Sequence, residues 1–323
     1  MLALRSSATQ PLSVKKVKKF YFTHLPTLDL EQQVFFAWML FIWNGDSEAF
    51  DHLQRLKPQL TEKTWLNLFK RLEAQSASGS YGKGKSVAIQ SKYLARHPGL
   101  LAKSWQLIYI LRLQSIFKID GCDELMRYHS RAAFAYTYER LLQDPEAIAM
   151  LPGAALGYLY LTERFIFKTP VSIIDITELL HKCLPFYDLK NDMHLKLLSY
   201  LQTHFIIDES LFFTRALPAS KQKAYESLIE EAEALLIKHY FAFGLDNKYE
   251  FLACSQFVGH SSLLKPIINS EAARSVVHGA GYTADTLNCN PNKHLANANN
   301  MAHSMAFYVL YKSKRLPQRK PFA

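Results

Sequence analysis

His204 and Asp208 stand four residues apart in a segment whose leucines repeat with helical period. On a helix that spacing sets a carboxylate beside an imidazole, the arrangement that orients a general base or steadies a metal-ligating histidine. Leu197, Leu198, Leu201 and Phe205 form the apolar stripe, and His194, His204 and Asp208 fall within its arc. Burying such groups is costly without partners, so the competing reading is a core histidine satisfied at a helix end.

A second concentration of polar chemistry lies in residues 278 to 307, where His278, Asp285, Cys289, His294 and His303 are set among asparagines. The first half is rich in turn formers, and long loops with such residues often line sites. Its spacing matches no metal signature, and His294 and His303 would face opposite sides of one helix. His303 is the better placed, because Asn299, His303, Phe307 and Leu310 share a side of the last expected helix, at 297 to 313. His260 follows a helix that carries Cys254 and could approach from another direction. Brought together, His204, oriented by Asp208, and His303 would serve acid–base catalysis, while His204, His260 and His303 could hold a divalent metal. The bland alternative is a surface loop in which the asparagines cap turns.

The stretch GSYGKGKS at 79 to 86 matches the phosphate-binding pattern in which Gly79 and Gly84 free the backbone, Lys85 neutralises phosphate and Ser86 binds magnesium. That motif works between a buried strand and a helix. Here an amphipathic helical stripe and the polar run EAQSAS precede it, so no strand delivers the loop, and a Gly, Ser and Lys-rich linker accounts for the match. Asp175, the best downstream magnesium carboxylate, runs into ITELLHKCL, which reads as a helix. Nucleotide binding through Gly79, Gly84, Lys85 and Ser86 is therefore the minor alternative.

The elements that must position these residues are helices. Of 323 residues, 49% are hydrophobic and 13% aromatic, while Gly and Pro are scarce, which describes a compact chain able to bury a large core. Helices are expected at 28 to 43, 47 to 56, 61 to 74, 87 to 96, 100 to 119, 123 to 142, 154 to 167, 172 to 184, 190 to 206, 219 to 243, 246 to 258 and 297 to 313. Alternating strand patterns are nearly absent. The fold class is thus all-α, an irregular array of antiparallel helix hairpins of α-solenoid or α/α-toroid type. YLTERFI at 160 to 166 and YLQTHFI at 200 to 206 echo one another at forty residues, a helix-pair interval. Residues 1 to 27 read as a basic arm, 28 to 313 as the helical domain, with a subdivision near 169 to 170 or 215 to 219, and 314 to 323 as a basic tail.

The four cysteines have no paired spacing, which points away from a disulfide framework and toward a cytoplasmic setting. The most apolar stretch, 147 to 161, is interrupted by Pro152 and Gly153 and falls short of the roughly 18 to 20 residues of a spanning helix. The net charge of +10 allows nucleic acid or an anionic surface as partners, mainly through the basic ends; elsewhere the basic residues are mixed with acids. The leading functional expectation is a binding protein with a groove or pocket for a peptide, a protein partner or a small ligand. It requires no cofactor; the alternative is the His/Asp enzyme, with or without a divalent metal.

Overall fold

The computed structural model describes residues 30–77 and 85–274, apart from 61, and a few positions between 19 and 27. Among these residues the chain is all-α, with fourteen α-helices and no strand. They are α1 Leu30–Asn44, α2 Ser47–Leu56, α3 Glu62–Ala77, α4 Lys85–Arg96, α5 Leu100–Phe117, α6 Cys122–Tyr128, α7 Arg131–Leu142, α8 Pro145–Met150, α9 Pro152–Leu161, α10 Ile176–Cys183, α11 Asp192–Glu209, α12 Gln222–Lys238, α13 Leu245–Val258 and α14 Lys265–Arg274. No helix among the described residues is long and apolar enough to cross a membrane.

Local chemistry sets the boundaries. Gly45 takes φ +63° after α1, and Asp46 then caps α2 by accepting a hydrogen bond from the Ala49 N–H at 3.1 Å. The stretch expected as one helix over 123 to 142 is two, because His129 is extended and the Ser130 side chain caps a new start by accepting from the Ala133 N–H. Pro145 and Pro152 each sit at the first position of a helix, where a missing N–H costs nothing, so the apolar run near 147 to 161 divides into α8 and α9. The segment expected to continue to 167 widens at Thr162–Phe167 into a π-helical turn. Helix α14 has no counterpart among the sequence expectations.

Helix α9 lies at the centre, packed on α5 and on α11, and α11 packs in turn on α12 and α13. Its apolar residues are buried on all sides, which is how a hydrophobic helix without a polar face is accommodated. One hydrophobic core runs through the described chain, from Trp38 and Trp43 on α1 through Tyr158 on α9 to Tyr225 and Tyr249 on α12 and α13, and so crosses both 169 and 219. Residues 1–18, 78–84 and 275–323, including the expected helix at 297 to 313, lie outside the described residues.

Candidate functional site

Helix α11 starts behind Asn191, whose side chain accepts from the Met193 N–H at 2.9 Å. Eighteen residues later it has carried Ser199, Gln202, Thr203, Asp208 and Glu209 into the interior beside its leucines. His204 Nδ1 lies 2.9 Å from Asp208 Oδ2. The Asp208 side chain is 1% exposed and that of His204 is 18% exposed. Nε2 of His204 makes no hydrogen bond with a described residue.

Space for this pair comes from α9. A Cβ on Gly153 would lie 3.1 Å from both Cε1 and Nε2 of His204, and one on Gly157 would lie 3.6 Å from Asp208 Oδ1 and from Ser104 Oγ of α5. Two glycines four apart on α9 therefore face the His and Asp four apart on α11. Helix α13 supplies the remaining wall. The Tyr200 hydroxyl donates to Asp246 Oδ2 at 2.5 Å, the Thr203 hydroxyl donates to Glu250 Oε1, and Cys254 Sγ donates to the Thr203 carbonyl at 3.7 Å. Asp246, Glu250 and Cys254 follow one stripe of α13.

The charges respond to this enclosure. Burial acts on His204 to favour the neutral ring, yet the Asp208 carboxylate, with Glu250 and Asp246 behind it, outweighs burial and lifts the imidazole to about 9. Burial also dominates at the acids: it raises Asp208 despite the attraction of His204, and it lifts Glu250 to about 7. The direction that governs the site is the same for all three: burial or neighbouring acids favour the protonated form. Chemically, the arrangement offers one oriented imidazolium N–H and a buried carboxyl that titrates near neutrality.

The turn after α11 is strained. Leu211, Phe212 and Phe213 take φ of +49°, +59° and +60°, a left-handed run that non-glycine residues rarely adopt. It is held by bonds from the Phe212 N–H to the Ile207 carbonyl and from Trp43 Nε1 to the Phe212 carbonyl, both 2.7 Å. Glu209, two residues before it, is buried and paired with Arg215 at 3.2 Å and Lys221 at 3.3 Å. These contacts over-determine the strained backbone at the end of the site helix.

The other sequence candidates fall elsewhere. His194 Nδ1 accepts from the Asp188 N–H at 2.9 Å and serves the loop before α11. His260 Nε2 lies 2.7 Å from Glu233 Oε2, in a cluster where Ser262 and the Leu263 N–H also donate to Glu233. It belongs to the turn between α13 and α14, and no group of three or more metal-ligating residues assembles among the described residues. His303, His278, Asp285, Cys289 and His294 lie outside the described residues, as do Gly79 and Gly84. Lys85 and Ser86 open α4, and the described element that precedes them is helix α3, not a strand. Asp175 caps α10 by accepting from the Glu178 N–H at 3.0 Å. Cys122, Cys183 and Cys254 are buried free thiols.

Sequence reasoning missed Glu250, Asp246, Tyr200, Thr203, Gly153 and Gly157. Two signals pointed to them: acids at the i, i+4 spacing of 246 and 250 continuing to Cys254, and two glycines at the same spacing inside an apolar helix. Comparison with protein-family models, curated proteins and solved structures returned no match to this chain.

Proposed function

We propose that the chain is a helical binding protein that takes a small polar ligand where α9, α11 and α13 meet, anchored on Nε2 of His204. The supporting observation is the division of labour on one ring: Nδ1 is committed to Asp208 at 2.9 Å, while Nε2 has no hydrogen bond among the described residues and part of the side chain is accessible. A protonated ring offers Nε2–H to an acceptor oxygen such as a carbonyl. Asp208, Asp246 and Glu250 oppose a further negative charge, so the ligand is neutral or cationic. Titrating the full chain with small amides and amino-acid amides, while following the His204 ring resonances by NMR, tests this reading. Saturable shifts that disappear in His204→Gln support it; a panel that leaves the ring unmoved contradicts it.

A second reading, an acid–base enzyme at the same place, is favoured by one specific feature. Glu250, held at about 7, stands with His204, held at about 9, so the site pairs a carboxyl that can exchange protons at neutrality with an imidazolium donor. If this holds, Glu250→Gln retains ligand binding and abolishes turnover. Binding without turnover in the unmodified protein leaves the first reading alone.

A further inference from the structure

Eight residues beyond Ser104 on α5, about 12 Å along the helix axis, stands a different kind of polar group. Arg112 is 3% exposed and has no acidic partner among the described residues. Its Nε and Nη2 are buried and carry no hydrogen bond to a described residue. The guanidinium instead lies against three rings, its Cζ 4.0 Å from the Phe35 centroid, 5.5 Å from Trp38 and 5.8 Å from Trp105. Two come from α1 and one from α5. The cage is fixed: Trp38 Nε1 donates to Ser115 Oγ at 2.6 Å, and that hydroxyl donates to the Arg112 carbonyl at 2.9 Å. Trp105 is half-buried, the most exposed of the three rings.

Cation–π contact compensates only part of the cost of removing a guanidinium from water. The two unbonded nitrogens are adjacent on one edge of the planar group, the edge that grips an oxyanion with two parallel N–H···O bonds. We propose that Arg112, walled by Phe35, Trp38 and Trp105, is a binding site for a small oxyanion, a phosphate or carboxylate group. This site is separate from His204: one offers a fork to an anion, the other a single N–H set among acids. Burial without a carboxylate neighbour also draws Arg112 down to about 9, in keeping with a cation that lacks its counter-charge.

The test uses the full chain and intrinsic tryptophan fluorescence, since Trp38 and Trp105 flank the guanidinium. Sodium phosphate and sodium acetate are titrated separately against sodium chloride at matched ionic strength, with melting temperature followed in parallel. The expected result is a saturable change with phosphate, acetate or both, absent with chloride. The arm that saturates identifies the group. Arg112→Met should lose the change, and Arg112→Lys, which keeps the charge without the fork, should weaken the affinity roughly tenfold or more. Arg112→Lys also serves as the reference if the methionine variant does not fold. No saturable change in the unmodified protein, or the same change in every folded variant, overturns the proposal.

Discussion

The His204 cluster and the Arg112 cage bury charge in opposite ways. Around His204 the imidazole has a carboxylate at 2.9 Å, and the neighbouring acids Glu250 and Asp246 are met by the Thr203 and Tyr200 hydroxyls. Around Arg112 the walls are rings, and two of its nitrogens have no hydrogen bond among the described residues. In the first region the counter-charge is built into the chain, so the remaining free atom is one accessible N–H. In the second the counter-charge is missing from the described residues, so the expected occupant must bring it. A buried ion's partner, rather than its burial, therefore decides which ligand charge a site accepts.

The comparison is broken most severely by removing one partner from the paired region. Asp208→Ala removes the carboxylate that keeps the ring protonated, leaves Nδ1 without its buried partner and should cost about 3–5 kcal/mol in urea unfolding. Arg112→Met strands nothing, since no described acid pairs with it, and in anion-free buffer it should change stability by no more than about 1 kcal/mol, the loss of ring contacts offsetting the relief of a buried charge. Equal large losses for both would show that Arg112 has a partner of the same kind as His204.

Next in size are the two glycines of α9. Gly153→Ala pushes a methyl to 3.1 Å from the His204 ring and should destabilise by about 1–3 kcal/mol, by overpacking. Gly157→Ala meets Asp208 and Ser104 at ordinary contact distance, 3.6 Å, and gains up to about 1 kcal/mol of helix propensity, so it should be neutral or stabilising. Thermal melts of the two variants distinguish a crowded ring from a general intolerance of α9.

The pH dependence is gentler. His204 rises from 6.5 to about 9 on folding, so its contribution is full below pH 6.5 and is lost as pH climbs through about 9. Glu250 rises from 4.5 to about 7, so the folded state again binds the extra proton and stability falls as pH passes from 4.5 through about 7. Both limbs slope the same way, and Asp208, also raised, adds to the fall. Melting temperature should therefore decline from pH 5 to pH 9, with Glu250→Gln flattening the acidic part and His204→Gln the alkaline part.

The smallest effect is expected at Lys85, the first residue of α4. Lys85→Ala should leave the melting temperature unchanged with or without magnesium-ATP, because the GSYGKGKS stretch reads as a linker between helices. Magnesium-ATP stabilisation that depends on Lys85 would add a second anion site to the one at Arg112.

Most of the helices were legible in the sequence, the amphipathic ones such as α2 and α10 from their apolar periodicity and the buried ones such as α5 and α9 from apolar runs bounded by Gly and Pro, and the His204–Asp208 pair was legible because a four-residue spacing is a local property of one helix. What surrounds the pair was not. Glu250 and Asp246 reach it only through the packing of α13 on α11, about forty residues further along the chain, and nothing in a single chain's periodicity states which helix faces which. Arg112 was hidden for the same reason: within α5 it is one basic residue in an apolar run, and its isolation becomes visible only when Phe35 and Trp38 arrive from α1. The break at Ser130 was masked by apolar residues on both sides that continue in helical register.

Both proposed readings of the site need His204 to be an imidazolium at neutral pH, held by Asp208 through one nitrogen and able to donate through the other. Long-range 1H–15N NMR of the histidine rings across pH 5 to 10, assigned with His204→Gln, measures this directly. The account requires both His204 nitrogens to carry protons at pH 7 and the ring to titrate near 9. A ring that is neutral at pH 7, titrating at or below the ordinary 6.5, would contradict it.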